Sequence, residues 1–365
     1  MKVGPDQQQA ECMSPDPAGA NRLGNIALVL VTLAIGGAAG AAALSIRSPL
    51  PWMLGPLFGV ALLRVLGAPL MPAPGGRHAG QWAIGTALGL YFTPAVLSLL
   101  QANLMLVSLI AGGALIVGLL CAVLTLRLAK VDKPTAFFAA LPGGASEMAV
   151  LAERFGGAVD RIAAAHALRV MLVVAIVPLG LNWSGAHGSD LYQPLAATVV
   201  PSQLPALVAA SLGGGLLLTA LRIGNAWVLG PLFGVGILTG LGLSLSALPG
   251  WVVNGGQLLI GCSLGCRFSP TFFRAAPRFL ATAAVSALFA VALGCVLALL
   301  AASASDTPLA TLVLAAAPGG VAEMCITAKV LQLGVPLVTV THVLRVVVLT
   351  LGAPFLYRVF LRLPD

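Results

Sequence analysis

Charge is scarce in this sequence: Asp, Glu, Lys and Arg together make up 8% of the 365 residues. A soluble globular domain carries about 25%, so soluble enzymes and soluble nucleic-acid binders are excluded at the outset. Acidic residues number 11 and histidines 4, too few and too dispersed to suggest a metal-ligand cluster. The chain is rich in apolar residues, at 59% hydrophobic, with 43 glycines and a mean hydropathy of +1.02. At about 20 to 25 residues per crossing, that composition supports roughly ten to twelve transmembrane helices.

The six cysteines lie mostly inside apolar runs and make no paired framework, so they read as small reduced core residues. Cys262 and Cys266 share a helical face, but no His or third Cys stands near them to complete a metal site. The formal charge of +8 comes from Lys and Arg scattered through short connections, the pattern of cytoplasmic anchoring and not of phosphate binding. Residues 1–24 are polar, contain Asp6, Glu11 and Asp16, and lack an apolar core. They read as a disordered tail and not as a signal peptide.

Apolar segments fall at 25–45, 50–66, 80–98, 104–126, 135–152 and 162–181, and again at 202–221, 225–243, 251–268, 279–303, 309–328 and 335–357. The second set repeats the first. Trp52-Met53-Leu54-Gly55-Pro56-Leu57-Phe58-Gly59-Val60 recurs as Trp227-Val228-Leu229-Gly230-Pro231-Leu232-Phe233-Gly234-Val235, 175 residues on. The offset then settles at 176, matching Gln81 to Gln257, Gly85 to Gly261, Gly89 to Gly265, Pro94 to Pro270, Pro142 to Pro318, Glu147 to Glu323, His166 to His342 and Arg169 to Arg345. The chain therefore reads as a duplicated six-segment unit: a first membrane repeat at 25–181, a linker at 182–201 and a second repeat at 202–365.

Twelve simple crossings would share the basic residues evenly between the two sides, against the bias that orients membrane helices. Pro142-Gly143-Gly144 and Pro318-Gly319-Gly320 interrupt the fifth and eleventh segments. If those two segments enter and leave on one side, most Lys and Arg residues gather inside, among them Lys2, Arg22, Arg77, Lys130, Arg154 and Arg278. Arg47 and Lys329 remain outside. Five crossings per unit is odd, so the expected architecture is an all-α bundle of two inverted repeats, each of about five crossings plus one broken, re-entrant segment. Both termini then lie in the cytoplasm. Inverted repeats with broken helices are the arrangement of secondary transporters.

Ionisable residues inside apolar segments are costly and are the first candidates for function. Glu147 and Glu323 each follow a Pro-Gly-Gly break and fall in the first turn of the half-helix that begins there. Two readings stand: each opened turn offers N–H groups to an anionic or polar substrate while the carboxylate takes a proton or cation, or each Glu caps its own half-helix. Gly143, Gly144, Ser146, Gly319 and Gly320 line the breaks as candidate substrate-binding residues. His166 and Arg169, and likewise His342 and Arg345, are three apart and share a helical face. Each Arg needs a carboxylate, a carbonyl or water, and the two glutamates are the obvious partners. The arginines are candidate anion-binding groups. The histidines join the glutamates as candidate proton-coupling groups, and an Arg–Glu clasp is the structural alternative.

Trp52 and Trp227 suit an interfacial belt, the Gly85/Gly89 and Gly261/Gly265 spacings suit close helix packing, and Gln81 and Gln257 suit a pathway or a cap. His78, His187, Asp132, Asp160, Asp190 and Asp306 read as loop residues.

The stretches Trp52–Val60, Leu141–Met148 and His166–Val170, with their second copies at Trp227–Val235, Ala317–Met324 and His342–Val346, resemble the AbrB family of bacterial membrane proteins. That duplication family is also labelled ammonia monooxygenase. The resemblance covers nearly the whole chain after the tail and implies a multi-pass inner-membrane protein; family labels add monooxygenase activity and regulation of gene expression. No oxygenase ligand set is visible in the residues, so no catalytic residue, metal or cofactor is expected. The expected function is alternating-access secondary transport of a small anionic or polar solute, with the proton as candidate coupling ion. Lipid and a small-molecule substrate are the expected partners, nucleic acid is not, and a homodimer is left open. A membrane monooxygenase and a regulatory membrane protein are the alternatives.

Overall fold

The computed structural model describes residues 22–362 except 187, 189–193, 195–197 and 244, and within its helices not the side chains of 22, 23, 146, 271, 273 and 275. Among the described residues the regular structure is helical throughout, with no strand. The first copy comprises α1 (Arg22–Ser45), α2 (Pro51–Val65), α3 (Gly76–Gly89), α4 (Pro94–Ala102), α5 (Leu104–Ala129), α6 (Lys133–Ala140), α7 (Ala145–Arg154) and α8 (Val159–Trp183). The second comprises α9 (Leu204–Ala220), α10 (Ala226–Gly240), α11 (Gly250–Gly265), α12 (Pro270–Ala275), α13 (Pro277–Ala302), α14 (Leu309–Ala316), α15 (Val321–Leu331) and α16 (Val335–Phe360).

Six helical stretches are long and apolar enough to cross a bilayer: Gly24–Ser45, Leu104–Ala129, Val159–Trp183, Pro201–Ala220, Pro277–Ala302 and Val335–Phe360. At 1.5 Å per residue the 26-residue α5 spans about 39 Å, more than the hydrocarbon core of about 30 Å. The chain is thus a polytopic helical membrane protein. The helices α2 and α10, at 15 residues each, are apolar but shorter.

The third segment is not the single rod expected at 80–98. It ends at Gly89, and the chain turns by 86° into α4. The Thr93 hydroxyl caps α4 by accepting from Val96 N at 3.3 Å, with Pro94 opening the helix where its missing N–H costs nothing. Ser269 and Pro270 build α12 in the same way, with Ser269 Oγ accepting from Phe272 N at 3.3 Å. His78 and Asp160, expected in loops, lie within α3 and in the first turn of α8. Asp132 is the N-cap of α6, accepting from Thr135 N at 3.0 Å. The first helix begins at Arg22, inside the expected tail, while residues 1–21, His187 and Asp190 lie outside the described residues.

Close packing between the copies is reciprocal. A β-carbon at Gly85 of α3 would overlap Val228 O of α10, and one at Gly261 of α11 would sit 2.6 Å from Met53 O of α2. Gly89 faces Leu232 and Val235; Gly265 faces Leu57 and Val60. Each pair is carried onto the other by the sequence offsets, so every third helix packs on the second helix of the other copy. Gly80 and Gly256, themselves repeat mates, face each other where α3 crosses α11. A two-fold relation between the copies has that property, with its axis passing this crossing.

Two helix groups emerge from these contacts. α1, α2 and α3 pack with α9, α10 and α11; α5 to α8 pack with α13 to α16, and the short α4 and α12 lead from one group to the other. Each group takes half of each copy.

Candidate functional site

Both Pro-Gly-Gly breaks lie in the second group, and each is flanked by two short helices. A broken helix leaves carbonyls free at the end of its first half and N–H groups free at the start of its second. At membrane depth each of those groups needs a partner.

The carbonyl ends are met by the His/Arg helices. His166 of α8 places Nε2 2.9 Å from Phe138 O, and His342 of α16 places Nε2 2.9 Å from Leu314 O. A carbonyl can only accept, so Nε2 carries the proton in both rings. Arg169 Nη1 donates to Leu141 O at 2.9 Å and Ala140 O at 3.3 Å. Arg345 donates through Nη1 to Ala317 O and through Nη2 to Gly319 O, both at 2.5 Å. The expected Arg–Glu clasp is therefore replaced: each guanidinium sits on the carbonyl end of a half-helix, where the dipole is negative. Among the described residues neither arginine has a carboxylate within ion-pair distance.

The N–H ends carry the glutamates. Glu147 is the third residue after Gly144 and Glu323 the third after Gly320, and each carboxylate folds back over that glycine, filling the space a β-carbon would take. This is the position from which a Glu reaches back to the first N–H groups of its helix. Both carboxylates are thus positioned where a capping Glu would lie. Met148 and Met324, fully buried, lie against Gly143 and Gly319 in the same way. The side chain of Ser146 lies outside the described residues.

The two copies differ in a consistent direction. Gly319 is buried and Glu323 is 6% exposed, whereas Gly143 and Glu147 are half-buried. Glu147 Oε1 accepts from Asn225 Nδ2 at 3.5 Å and rests on Gly224, so it touches the turn between α9 and α10 in the other helix group. Arg345 reaches Gly319 O, but Arg169 turns its second nitrogen to His166 Nδ1 at 2.8 Å and leaves the matching Gly143 carbonyl. That bond occupies the acceptor nitrogen of His166, while His342 Nδ1 is buried without a partner. One motif is seen in two arrangements.

Some contributors were not singled out from sequence. Gly118 and Gly294, 176 residues apart, lie against Pro142 and Pro318, and the repeat register would have found them. Asn225 has no apolar-segment signal because it sits in a turn. Trp227 stacks on His78 with ring centroids 6.0 Å apart, and Lys329 Nζ lies 5.9 Å from the Tyr91 ring centroid, both ties across helices. Gln81 and Gln257 are buried beside the α3–α11 crossing. Of the cysteines, Cys121, Cys262, Cys266 and Cys325 are buried free thiols and Cys295 is half-buried.

Two helix groups, each drawn from both halves of a duplicated chain, with paired helix breaks held by buried His and Arg, define a polytopic integral membrane protein. The chain belongs to the AbrB family: residues 52–361 match the family profile described as "Transition state regulatory protein AbrB". It is similar to a Bacillus subtilis (strain 168) protein named YhjN, 26% identical over 337 residues, covering 84% of this chain and 86% of that one. It is also similar to an Escherichia coli (strain K12) protein, AbrB, whose name proposes a regulator. There the identity is 24% over 324 residues, covering 86% of this chain and 91% of the relative.

Proposed function

We propose that this protein is a secondary transporter of the inner membrane and not an enzyme. It would carry a small anionic or polar solute by alternating access, with the proton as coupling ion. The observation that carries this reading is an asymmetry between the breaks: Gly143 and Glu147 are half-buried, with Glu147 resting on Gly224 and Asn225 of the other helix group, whereas Gly319 and Glu323 are buried. In inverted repeats, exchanging those two arrangements opens the site to the opposite side. The solute then binds at the opened turn of Gly143 and Gly144 with Arg169 nearby, and at Gly319, Gly320 and Arg345 after the exchange.

Glu147 and Glu323 are the coupling carboxylates in this reading, because protonation of either weakens its hold on the free N–H groups. His166, bonded through Nδ1 to Arg169, and His342, whose Nδ1 has no partner, are the further candidate proton-coupling groups. The test is proton flux in proteoliposomes containing a trapped pH dye, challenged with small mono- and dicarboxylates and amino acids. At least one solute drives proton movement in the native protein, and Glu147→Gln and Glu323→Gln abolish it with normal membrane insertion. Flux unchanged in both variants overturns the assignment.

A second reading, a membrane protein acting in regulation of gene expression, is favoured by the names of the family profile and of the Escherichia coli relative. A reconstituted protein that moves no solute, joined to altered transcript levels on its deletion, would support it.

A further inference from the structure

Exact repeats would make equal contacts at their two breaks, but the neighbours of the two glutamates differ in sequence. Through the offsets, Gly224 and Asn225 correspond to Pro49 and Leu50, and Arg77 corresponds to Val253. The first set is small, polar and charged, whereas the second is apolar throughout. Leu50 and Val253 are buried in one apolar cluster with Val321, Ala322 and Met324 of α15, and α15 packs on α3 of the other helix group. The second break is thus bounded by hydrocarbon.

At the first break the two groups meet through a carboxylate. Glu147 turns Oε2 to its own Gly144 and Oε1 to Gly224, between α9 and α10. A β-carbon at Gly224 would overlap that oxygen, and one at Gly144 would lie 3.1 Å from Asn225 Nδ2, so glycine on both sides is what brings them together. Asn225 Nδ2 donates to Glu147 Oε1 at 3.5 Å. Asn225 is the N-cap of α10, yet its side chain makes no bond to that helix, the usual use of Asn there. Its φ of +55° is one that Asn tolerates better than most residues. Arg77, half-buried in the first turn of α3, is close enough for its charge to act on the carboxylate. Glu323, by contrast, has both oxygens at its own Gly320, and no described glycine of the other group lies against it.

Alternating access moves one helix group past the other, so a hydrogen-bonded contact between them resists the movement until it parts. We infer that Glu147, Gly224 and Asn225 form a latch that holds the two helix groups in the arrangement seen, with Arg77 adding attraction, and that the second break has no counterpart. The two breaks are then held by different forces, a hydrogen bond to a charged group at one and apolar packing at the other. The latch takes its purpose from the transport reading, but it is measured without solute or flux.

The experiment is double electron–electron resonance between spin labels on Arg154→Cys, at the end of α7, and Leu221→Cys, just after α9, both exposed positions. The full chain is used in liposomes, with the native cysteines replaced. The native latch gives one main separation. Asn225→Asp keeps both the φ and the cap but sets like charge against Glu147; the ratio of this separation to a longer one falls about tenfold, the loss expected of one hydrogen bond to a charged group. Gly224→Ala, whose methyl group takes the place of Oε1, moves the ratio in the same direction. Asn225→Asp combined with Glu147→Gln returns it toward the native value, because donor and acceptor have changed places. A native distribution in either single variant, or a double variant as open as Asn225→Asp alone, overturns the latch. If the latch responds as stated while no solute drives proton flux, the transport reading falls and the latch stands. Flux in the native protein with separations unmoved by the variants overturns the latch alone.

Discussion

Arg345 shows how an expensive residue is made tolerable by the break it serves. Its two terminal nitrogens bridge Ala317 O and Gly319 O, carbonyls of the break between α14 and α15. A planar fork can span two acceptors that a single ammonium cannot. Arg345→Lys is expected to leave one buried carbonyl unmet, a cost of about 1 to 3 kcal/mol, read as a lower thermal unfolding midpoint in detergent. An unchanged midpoint would mean that the guanidinium is not what holds the break. The three-residue spacing of His and Arg was legible in the sequence, as was the interruption of the helix. The pairing was not, since periodicity assigns a face and not a partner. The glutamates drew the arginines on charge alone, yet a Pro-Gly-Gly turn frees carbonyls and N–H groups at opposite ends, and cations and carboxylates sort to those ends by sign.

At the scale of helices, small residues set how near two axes come. Gly261 brings α11 onto α2, where a β-carbon would sit 2.6 Å from Met53 O and 3.0 Å from Pro56 Cβ, while Gly37 of α1 has nothing within 4 Å of such an atom. Gly261→Val pushes the two backbones apart and is expected to abolish recovery of monodisperse protein; Gly37→Ala is expected to match the native yield. Equal yields from both variants would show that the crossing is not closely packed. The spacing of Gly85/Gly89 and Gly261/Gly265 marked these contacts in the sequence, although not their exchange between copies, which no local pattern encodes. The turn at Thr93-Pro94 was equally open to inspection: a hydroxyl followed by proline is a helix start. Hydropathy ran through it because Leu90, Tyr91 and Phe92 keep the segment apolar across the bend.

For the whole molecule, the reciprocal packing of α2 on α11 and α10 on α3 fits a two-fold relation between the copies, and the tilt of its axis to the membrane sets what that relation does. An axis in the plane sends equivalent residues to opposite faces; an axis along the normal keeps them together. Arg154, at the end of α7, and Val330, near the end of α15, are equivalent through the 176-residue offset, and both are exposed. The charge bias of the sequence predicts Arg154 on the inner side and Lys329, beside Val330, on the outer one. Arg154→Cys and Val330→Cys, each made with the native cysteines replaced, are therefore expected to react with an impermeant maleimide from opposite sides of sealed vesicles. Reaction of both from one side would put the axis along the normal. The half-buried Glu147 and the buried Glu323 would then belong to two arrangements facing the same compartment, and exchanging them would carry nothing across.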